Sequence, residues 1–303
     1  MTLQQLKYVV TVAETGTVTN AAKKLYISQP SLTNAIHELE KEMNIVIFQR
    51  TNKGIVLSRE GEDFLGYARQ VLEQAAILED KYKGQDGGKK QFCVSTQHYS
   101  FAVNAFVDLI KEYGQEEYDF SLRETQTYEI IEDVARMRSE IGILFLNDFN
   151  ESVIGKILKS HDLEFYPLFV AKPHVFISRE HPLAGKDIIT NEELEAYPYL
   201  SFEQGEHNSF YFSEEIFSPS ERKKNIRVRD RATLFNLLIG LNGYTVCSGV
   251  IDKKLNGKDI IAVPLADENE MRIGYIMHRK GMTSRIGTAY LKALKKYVEP
   301  EIG

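Results

Sequence analysis

Apolar residues recur at spacings of three and four from the start of the chain. Leu3, Leu6, Val10 and Ala13 share one face and predict a helix over 2–14. Gly16 ends it, and Thr17 caps a short second helix over 18–24 that turns Ala21, Ala22 and Leu25 inward. Ser28 caps a third helix over 29–42, with Pro30 in the first turn, where a missing amide hydrogen costs nothing. Leu32, Ile36, Leu39 and Met43 form its expected buried stripe. The other face carries Gln29, Ser31, Thr33 and Asn34. Side chains this short and polar either let a helix approach base edges and phosphates or form an ordinary solvated surface. Over residues 45–58 two short apolar strands flank a turn with Arg50, Lys53 and Gly54, a hairpin whose basic tip suits a phosphate backbone. Three helices and a basic hairpin make a winged helix-turn-helix over 1–58.

Residues 58–83 hold few helix breakers. Phe64, Ala68, Val71, Ala75, Leu78 and Tyr82 step by four and three, with Leu65 and Leu72 widening the stripe. Such a seam predicts a long helix that packs on a second copy of the chain or docks on its own. The run GQDGGKK (84–90) breaks the pattern, so 59–90 is assigned as a linker helix and hinge. From residue 91 strand-like and helix-like stretches alternate: QFCVS, YSFAVNAFVDLIKEYG, YDFSLRE, YEIIEDVARMRS and IGILFL. HVFIS, NEELEAY, YLSF, SFYFSEEIF (helix-like), NIRVRD, RATLFNLLIGLNG, YTVCS, IIAVPL, RIGYIMHR and a last helix over 284–298 continue the alternation. The alternation predicts an α/β domain with a mostly parallel sheet, in two subdomains around a cleft.

Composition narrows the class. No apolar run approaches the ~20 residues of a membrane-spanning helix, and the N-terminal stretch lacks signal-peptide features, so a cytoplasmic protein without membrane association is expected. Cys93 and Cys247 are the only cysteines and fit two reduced, buried thiols; nothing resembles a metal site. The net charge of −6 opposes generic nucleic-acid binding. Residues 1–60, however, hold seven Lys or Arg against five Asp or Glu, leaving the acidic excess in the rest of the chain. No P-loop, GxSxG, GxGxxG or metal cluster supports an enzyme. A solute-binding protein is opposed by the missing signal peptide and by the N-terminal module.

The segment AAKKLYISQPSLTNAIHELEKEMNIVIFQRTNKGIVLSREG (21–61) carries a family likeness. It holds Ala-Ala, then Ser-Gln-Pro-Ser, a Leu-Glu helix end, Phe-x-Arg and Thr-x-x-Gly. Glu140-Ile141-Gly142-Ile143 and His181-Pro182-Leu183-Ala184 add to it. With these the chain resembles the LysR-type bacterial transcriptional regulators over its whole length. It departs at Asn34, where Arg is common, and at Glu140, where Asp is.

The resemblance implies a DNA-binding regulator, not an enzyme, with no cofactor beyond a small-molecule effector. It implies an effector domain over 91–303 resembling the periplasmic binding proteins, divided into 91–165 with 267–303 and 166–266. It also implies a homodimer or homotetramer on double-stranded operator DNA, with RNA polymerase admitted as a further partner. Two reading helices in a dimer would sit about one DNA turn, ~34 Å, or a multiple apart.

On the DNA side the candidates are Gln29, Pro30, Ser31, Thr33 and Asn34 for the major groove, with Arg50, Thr51 and Lys53 on phosphate from the wing and Thr19 and Lys23 on the backbone. Asn34 either pairs with a base or is solvated. On the effector side, Ser95, Thr96, Gln97 and His98 follow the first strand of the α/β part and open a helix, offering either a carboxylate site or simple helix capping. Ser201, Phe202 and Glu203, Tyr244 to Cys247, and Gln126, Thr127, Leu144 and Phe145 complete the expected walls. The pair Thr96-Gln97 resembles that of relatives sensing sulfur amino-acid precursors, which points to such a carboxylate. Peroxide-sensing relatives use cysteines close in sequence, unlike Cys93 and Cys247.

Overall fold

The computed structural model describes residues 1–51, 54–83, 90–113, 117–207, 209–216, 222–251, 258–279, 281 and 283–298. They fall into two compact units, Met1–Gly87 and Gly88–Gly303.

The first unit opens with α1 (Leu3–Thr15), α2 (Val18–Lys24) and α3 (Gln29–Met43). Each N-terminus is closed locally. The Thr2 hydroxyl accepts from the Gln5 N–H, Thr17 from Asn20 and Ser28 from Ser31, each at 3.2 Å. Gly16 ends α1 in the left-handed region (φ 70°), where a side chain would be strained. The core gathers Val9, Val12, Ala21, Ala22, Leu32, Ile36, Leu39, Ile47 and Leu65. Two expected core positions lie outside it: Leu3 is 45% and Met43 40% exposed. The buried face of α1 is rotated by part of a turn, onto Leu6, Val9 and Val12. Met43 sits in the last turn, beyond the packed stretch.

Strands β1 (Phe48–Thr51) and β2 (Gly54–Leu57) form the antiparallel hairpin. Its base is pinned to α3 by Glu40, whose carboxylate accepts from the Ile47 N–H (2.8 Å) and the Phe48 N–H (3.1 Å). Ser58 then donates to the Val46 carbonyl and accepts from the Gly61 N–H, turning the chain into α4 (Arg59–Lys83). Helix α4 packs on α1 through its first turns, burying Leu65 and Ala68. Farther along, Val71 (41%) and Leu78 (59%) are exposed. The side chain of Tyr82 and the expected hinge at 84–89 lie outside the described residues.

The second unit begins with β3 (Lys90–Thr96), α5 (Ser100–Tyr113), β4 (Tyr118–Glu124), α6 (Thr127–Ala135) and β5 (Ile141–Leu146). It continues with α7 (Glu151–Ser160), β6 (Leu163–Ala171), β7 (His174–Ser178), α8 (Asn191–Leu194), β8 (Tyr199–Phe202), β9 (Asn225–Val228) and α9 (Arg231–Leu241). It closes with β10 (Thr245–Cys247), β11 (Ile260–Pro264), β12 (Met271–His278) and α10 (Arg285–Val298). One lobe is a five-stranded sheet ordered β4-β3-β5-β12-β6; the other holds the sheets β10-β7-β11 and β8-β9. Strands β4, β3 and β5 are parallel, but β12 returns antiparallel between β5 and β6, so the sheet is mixed rather than mostly parallel. Because β6 spans 163–171 and pairs with β12, the expected division at 165/166 falls inside a strand, and the first lobe reaches Ala171. Helix α7 and strand β6 were absent from the sequence reading. The stretch SFYFSEEIF, expected to be helical, contributes only a 3-10 turn at Phe210–Phe212.

The family-like motifs have local causes. Helix α6 lies so close to β5 that a Cβ on Gly142 would meet Ile276, Ile130 and Val134 at 2.7–2.9 Å. The Glu140 carboxylate accepts from the Ser284 N–H (2.8 Å) and hydroxyl (2.7 Å) just before α10, while burial raises its pKa. His181 accepts from the Leu183 N–H at Nδ1 (3.1 Å), so Nε2 carries the proton and donates to the Asn242 carbonyl (3.0 Å) at the end of α9. Burial lowers its pKa and favours this neutral form.

Candidate nucleic-acid face and candidate cleft

In the first unit, α3 follows α2 through a four-residue turn in which Tyr26 takes φ 55° and stands 96% exposed. Gln29, Pro30, Ser31 and Asn34 are exposed on α3, and Thr33 is half-buried. Thr19 and Lys23 are exposed on the neighbouring α2. No acidic residue lies in the first turn of α3, so its positive end is not neutralised locally. Ser31 shares its hydroxyl with Ser28 (2.7 Å), which leaves the amides of Gln29 and Asn34 as the outward hydrogen-bonding groups of that turn. On the wing, Arg50 and Thr51 belong to β1, but their side chains lie outside the described residues, as does Lys53 altogether. Sequence reasoning passed over Tyr26; its place in a turn that needs a left-handed residue was the available signal.

In the second unit, a cleft with about 590 Å³ of space, its open mouth included, lies between the lobes. Its apolar wall includes Phe176, Leu234, Phe235, Val246 and Met271; its polar groups include His98, Glu214, Glu215, Arg231, Thr245 and Ser248. Among the described residues, hydrogen-bonded contacts that cross from lobe to lobe include His98 with Glu214, Ser100 with the Val250 carbonyl, the Thr127 N–H with Gln204 and Arg231 with Glu124.

The expected effector residues separate into two groups. His98, Phe202, Thr245 and Cys247 line the cleft. Ser95, Thr96, Gln97, Gln126, Phe145 and Ser201 do not line it. Ser95 donates to Asp133 (2.6 Å) and meets Ser139 (2.7 Å). Thr96 turns its hydroxyl to the Gln97 carbonyl (2.7 Å). The Gln97 amide donates to Thr127 (2.6 Å) and accepts from the Tyr99 hydroxyl (2.9 Å) and the Phe145 N–H (3.1 Å). Gln126, in the amide orientation that satisfies both ends, bridges the Gln204 carbonyl and the Gly205 N–H. Phe145 and Ser201 are buried at 2% and 6%.

The backbone donors expected to hold a carboxylate after β3 are also taken. The Gln97 N–H donates to Ile143 (3.0 Å), Tyr99 to Gln97 (2.7 Å), and His98 to the chain's own Glu214 (3.0 Å). Glu214 also meets His98 Nδ1 at 2.9 Å, while the imidazole stacks on Phe202 with centroids 3.7 Å apart. Burial alone would lower the His98 pKa; the Glu214 carboxylate outweighs it and the net shift is upward.

Glu214, Glu215 and Arg231 are cleft groups that sequence reasoning missed. Arg231 opens α9 after the cap Asp230 and pairs with Glu124. Its Nε is buried without a hydrogen-bond partner, and burial lowers its pKa to about 10. Cys247 and Cys93 are both free, and burial raises the pKa of both thiols, which keeps them protonated and weakly nucleophilic. Among the described residues no group of His, Cys, Asp and Glu could hold a metal ion, and no helix is long and apolar enough to cross a membrane.

Residues 3–62 match the family "Bacterial regulatory helix-turn-helix protein, lysR family", and residues 92–298 match the "LysR substrate binding domain". The chain is 26% identical to the uncharacterized HTH-type transcriptional regulator YbhD of Escherichia coli K12, covering 92% of this chain and 86% of that protein. It is 25% identical to the RuBisCO operon transcriptional regulator of Allochromatium vinosum, covering 93% and 91%. In fold it is similar to a full-length OxyR variant from Pseudomonas aeruginosa, with TM-score 0.69, 19% identity and 99% and 95% of the two chains covered. It is also similar to CbnR, a LysR family transcriptional regulator, with TM-score 0.58, 18% identity and 98% and 99% covered.

Proposed function

Because the chain belongs to the LysR family of bacterial regulatory proteins, we propose that a small carboxylate in its interlobe cleft controls how it binds or bends a two-fold symmetric operator. It is a LysR-type DNA-binding transcriptional regulator with an effector-binding domain, and its relatives are regulators rather than enzymes. The finer reading rests on Arg231, a cleft-lining guanidinium whose buried Nε has no partner beside a mostly apolar wall. Arginine presents a planar fork that matches a carboxylate, and an apolar surround strengthens the pairing. The carboxylate is therefore assigned to Arg231 rather than to the turn after β3, whose donors are occupied by the chain itself. The exposed apolar residues Val71 and Leu78 support a homodimer through α4, paired in turn into a tetramer. The same reading assigns the activity to the cytoplasm, with operator DNA as partner and RNA polymerase as a further contact.

Selection of bound duplexes from a random library by the full-length protein tests the DNA reading. A two-fold site with half-sites one helical turn or a multiple apart is expected; an asymmetric single site would sink it. A thermal-shift screen with small carboxylates tests the cleft. A ligand at about 100 times its Kd stabilises by roughly 2.7 kcal/mol. That shift should vanish in Arg231→Met and persist in Thr96→Val, because the Thr96 hydroxyl is bonded to the Gln97 carbonyl and does not line the cleft.

A further inference from the structure

Two glutamates adjacent in the chain line the cleft, and each is almost fully buried: Glu214 is 8% and Glu215 3% exposed. Their surroundings differ. Glu214 is matched by the His98 ring and N–H and by the Gln204 amide (3.3 Å). Glu215 accepts from the Phe202 N–H (2.8 Å), the Ser213 hydroxyl (3.3 Å) and its own backbone N–H, and no basic side chain among the described residues pairs with it. A carboxylate offers about four acceptor sites, so part of its capacity is unused and its charge has no counter-ion. The same cleft presents the rings of Phe176 and Phe235, aromatic groups that favour a cation, and Arg231 with its unpartnered Nε.

We infer that the effector carries an ammonium group as well as a carboxylate, with Glu215 as the counter-ion of the ammonium and Arg231 that of the carboxylate. The effector is thus a small amino acid or amino-acid derivative with an apolar body. This rests on the cleft reading above and adds to it a cation subsite.

The charge state of Glu215 supplies a signature. Burial, and next the Glu214 charge, push its carboxyl up to about 8. The other titratable groups around it are His98, Tyr99, Tyr199 and Arg231. At pH 7 the free protein holds a proton on Glu215, and an arriving ammonium takes that proton's place. Binding therefore releases about one proton, and affinity rises up to about tenfold per pH unit below pH 8 before levelling off.

Calorimetry on the full-length protein at pH 7 decides the matter with three probes: leucine, 4-methylpentanoate, which lacks the amine, and 3-methylbutylamine, which lacks the carboxylate. Leucine should bind at least about tenfold tighter than either fragment. Heats in buffers of different ionisation enthalpy should show about one proton released. Glu215→Gln should abolish the proton release and bring leucine down to the level of 4-methylpentanoate. Should that variant not fold, the comparison of the three probes on the unaltered protein decides.

Equal binding of leucine and 4-methylpentanoate would overturn the ammonium subsite and leave the carboxylate reading standing. Equal binding of leucine and 3-methylbutylamine would overturn the carboxylate reading and keep the subsite. No binding by any probe at about 10 mM, weaker than roughly 3 kcal/mol, would overturn both.

Discussion

The candidate DNA-reading face and the cleft solve opposite problems. The face is drawn from one stretch, Val18 to Asn34, and its candidate side chains, apart from the half-buried Thr33, stand in solvent. The cleft is drawn from segments around residues 98, 176, 202, 214, 231 and 246, and two of its polar groups, His98 and Arg231, are bonded across the lobes to Glu214 and Glu124. A reader of DNA must leave its donors free until a groove arrives. A sensor must hold its groups in place before the ligand arrives, so it anchors them internally and leaves part of their bonding capacity to the ligand.

The largest test of this contrast is Leu32→Ala. Leu32 is fully buried in the first unit, and its truncation should cost about 2–5 kcal/mol. Calorimetric unfolding should show the transition of Met1–Gly87 lowered while that of the second unit stays in place. A common shift of both would mean that the two regions are not built independently.

Asn34→Ala and Gln29→Ala come next. Removing a bidentate base contact should cost roughly 1–3 kcal/mol on the selected operator and little on random DNA. A uniform loss at both would recast the two residues as phosphate contacts. Thermal stability should change little, because both side chains are exposed.

In the cleft the expected effect is a pH dependence. Glu215 has an ordinary pKa of 4.5 and is held at about 8 in the fold. Between those values the native state keeps a proton that the unfolded chain has lost. The contribution of Glu215 is therefore most favourable below pH 4.5 and is lost as pH rises through 8, by at most about 1.4 kcal/mol per unit. Urea unfolding at pH 6 and 8 should show this slope reduced in Glu215→Gln; identical slopes would mean that Glu215 is ionised throughout.

The smallest effect is Ser28→Ala. It removes the cap of α3 and should cost about 1 kcal/mol of unit stability. Restoration by Ser28→Asp would separate capping from a direct DNA role of the hydroxyl.

The three helices, the hairpin and most strands were legible because each rests on a local rule: a cap, a periodicity or a turn. The winged module and the α/β class follow from those rules alone. Helix α7 was missed because its mixed composition, ESVIGKILKS, lies between stronger patterns, and β6 because Pro167 interrupts it. SFYFSEEIF has helical spacing, yet Ser213 to Glu215 are used to bring carboxylates to His98 and Phe202.

What the sequence determined by itself is therefore everything carried by neighbours along the chain: the helix caps, the Leu-Glu helix end, the polar face of α3 and the family motifs. What only the tertiary structure decided is which polar groups are committed and which face the cleft. Ser95, Thr96 and Gln97 looked available beside a helix start, but Asp133, Thr127 and Phe145, distant in sequence, take up Ser95 and Gln97. Glu214, Glu215 and Arg231 carry no local signal of a site; packing places them in the cleft. Burial and hydrogen-bond partners depend on long-range packing, and no local pattern along the chain records them.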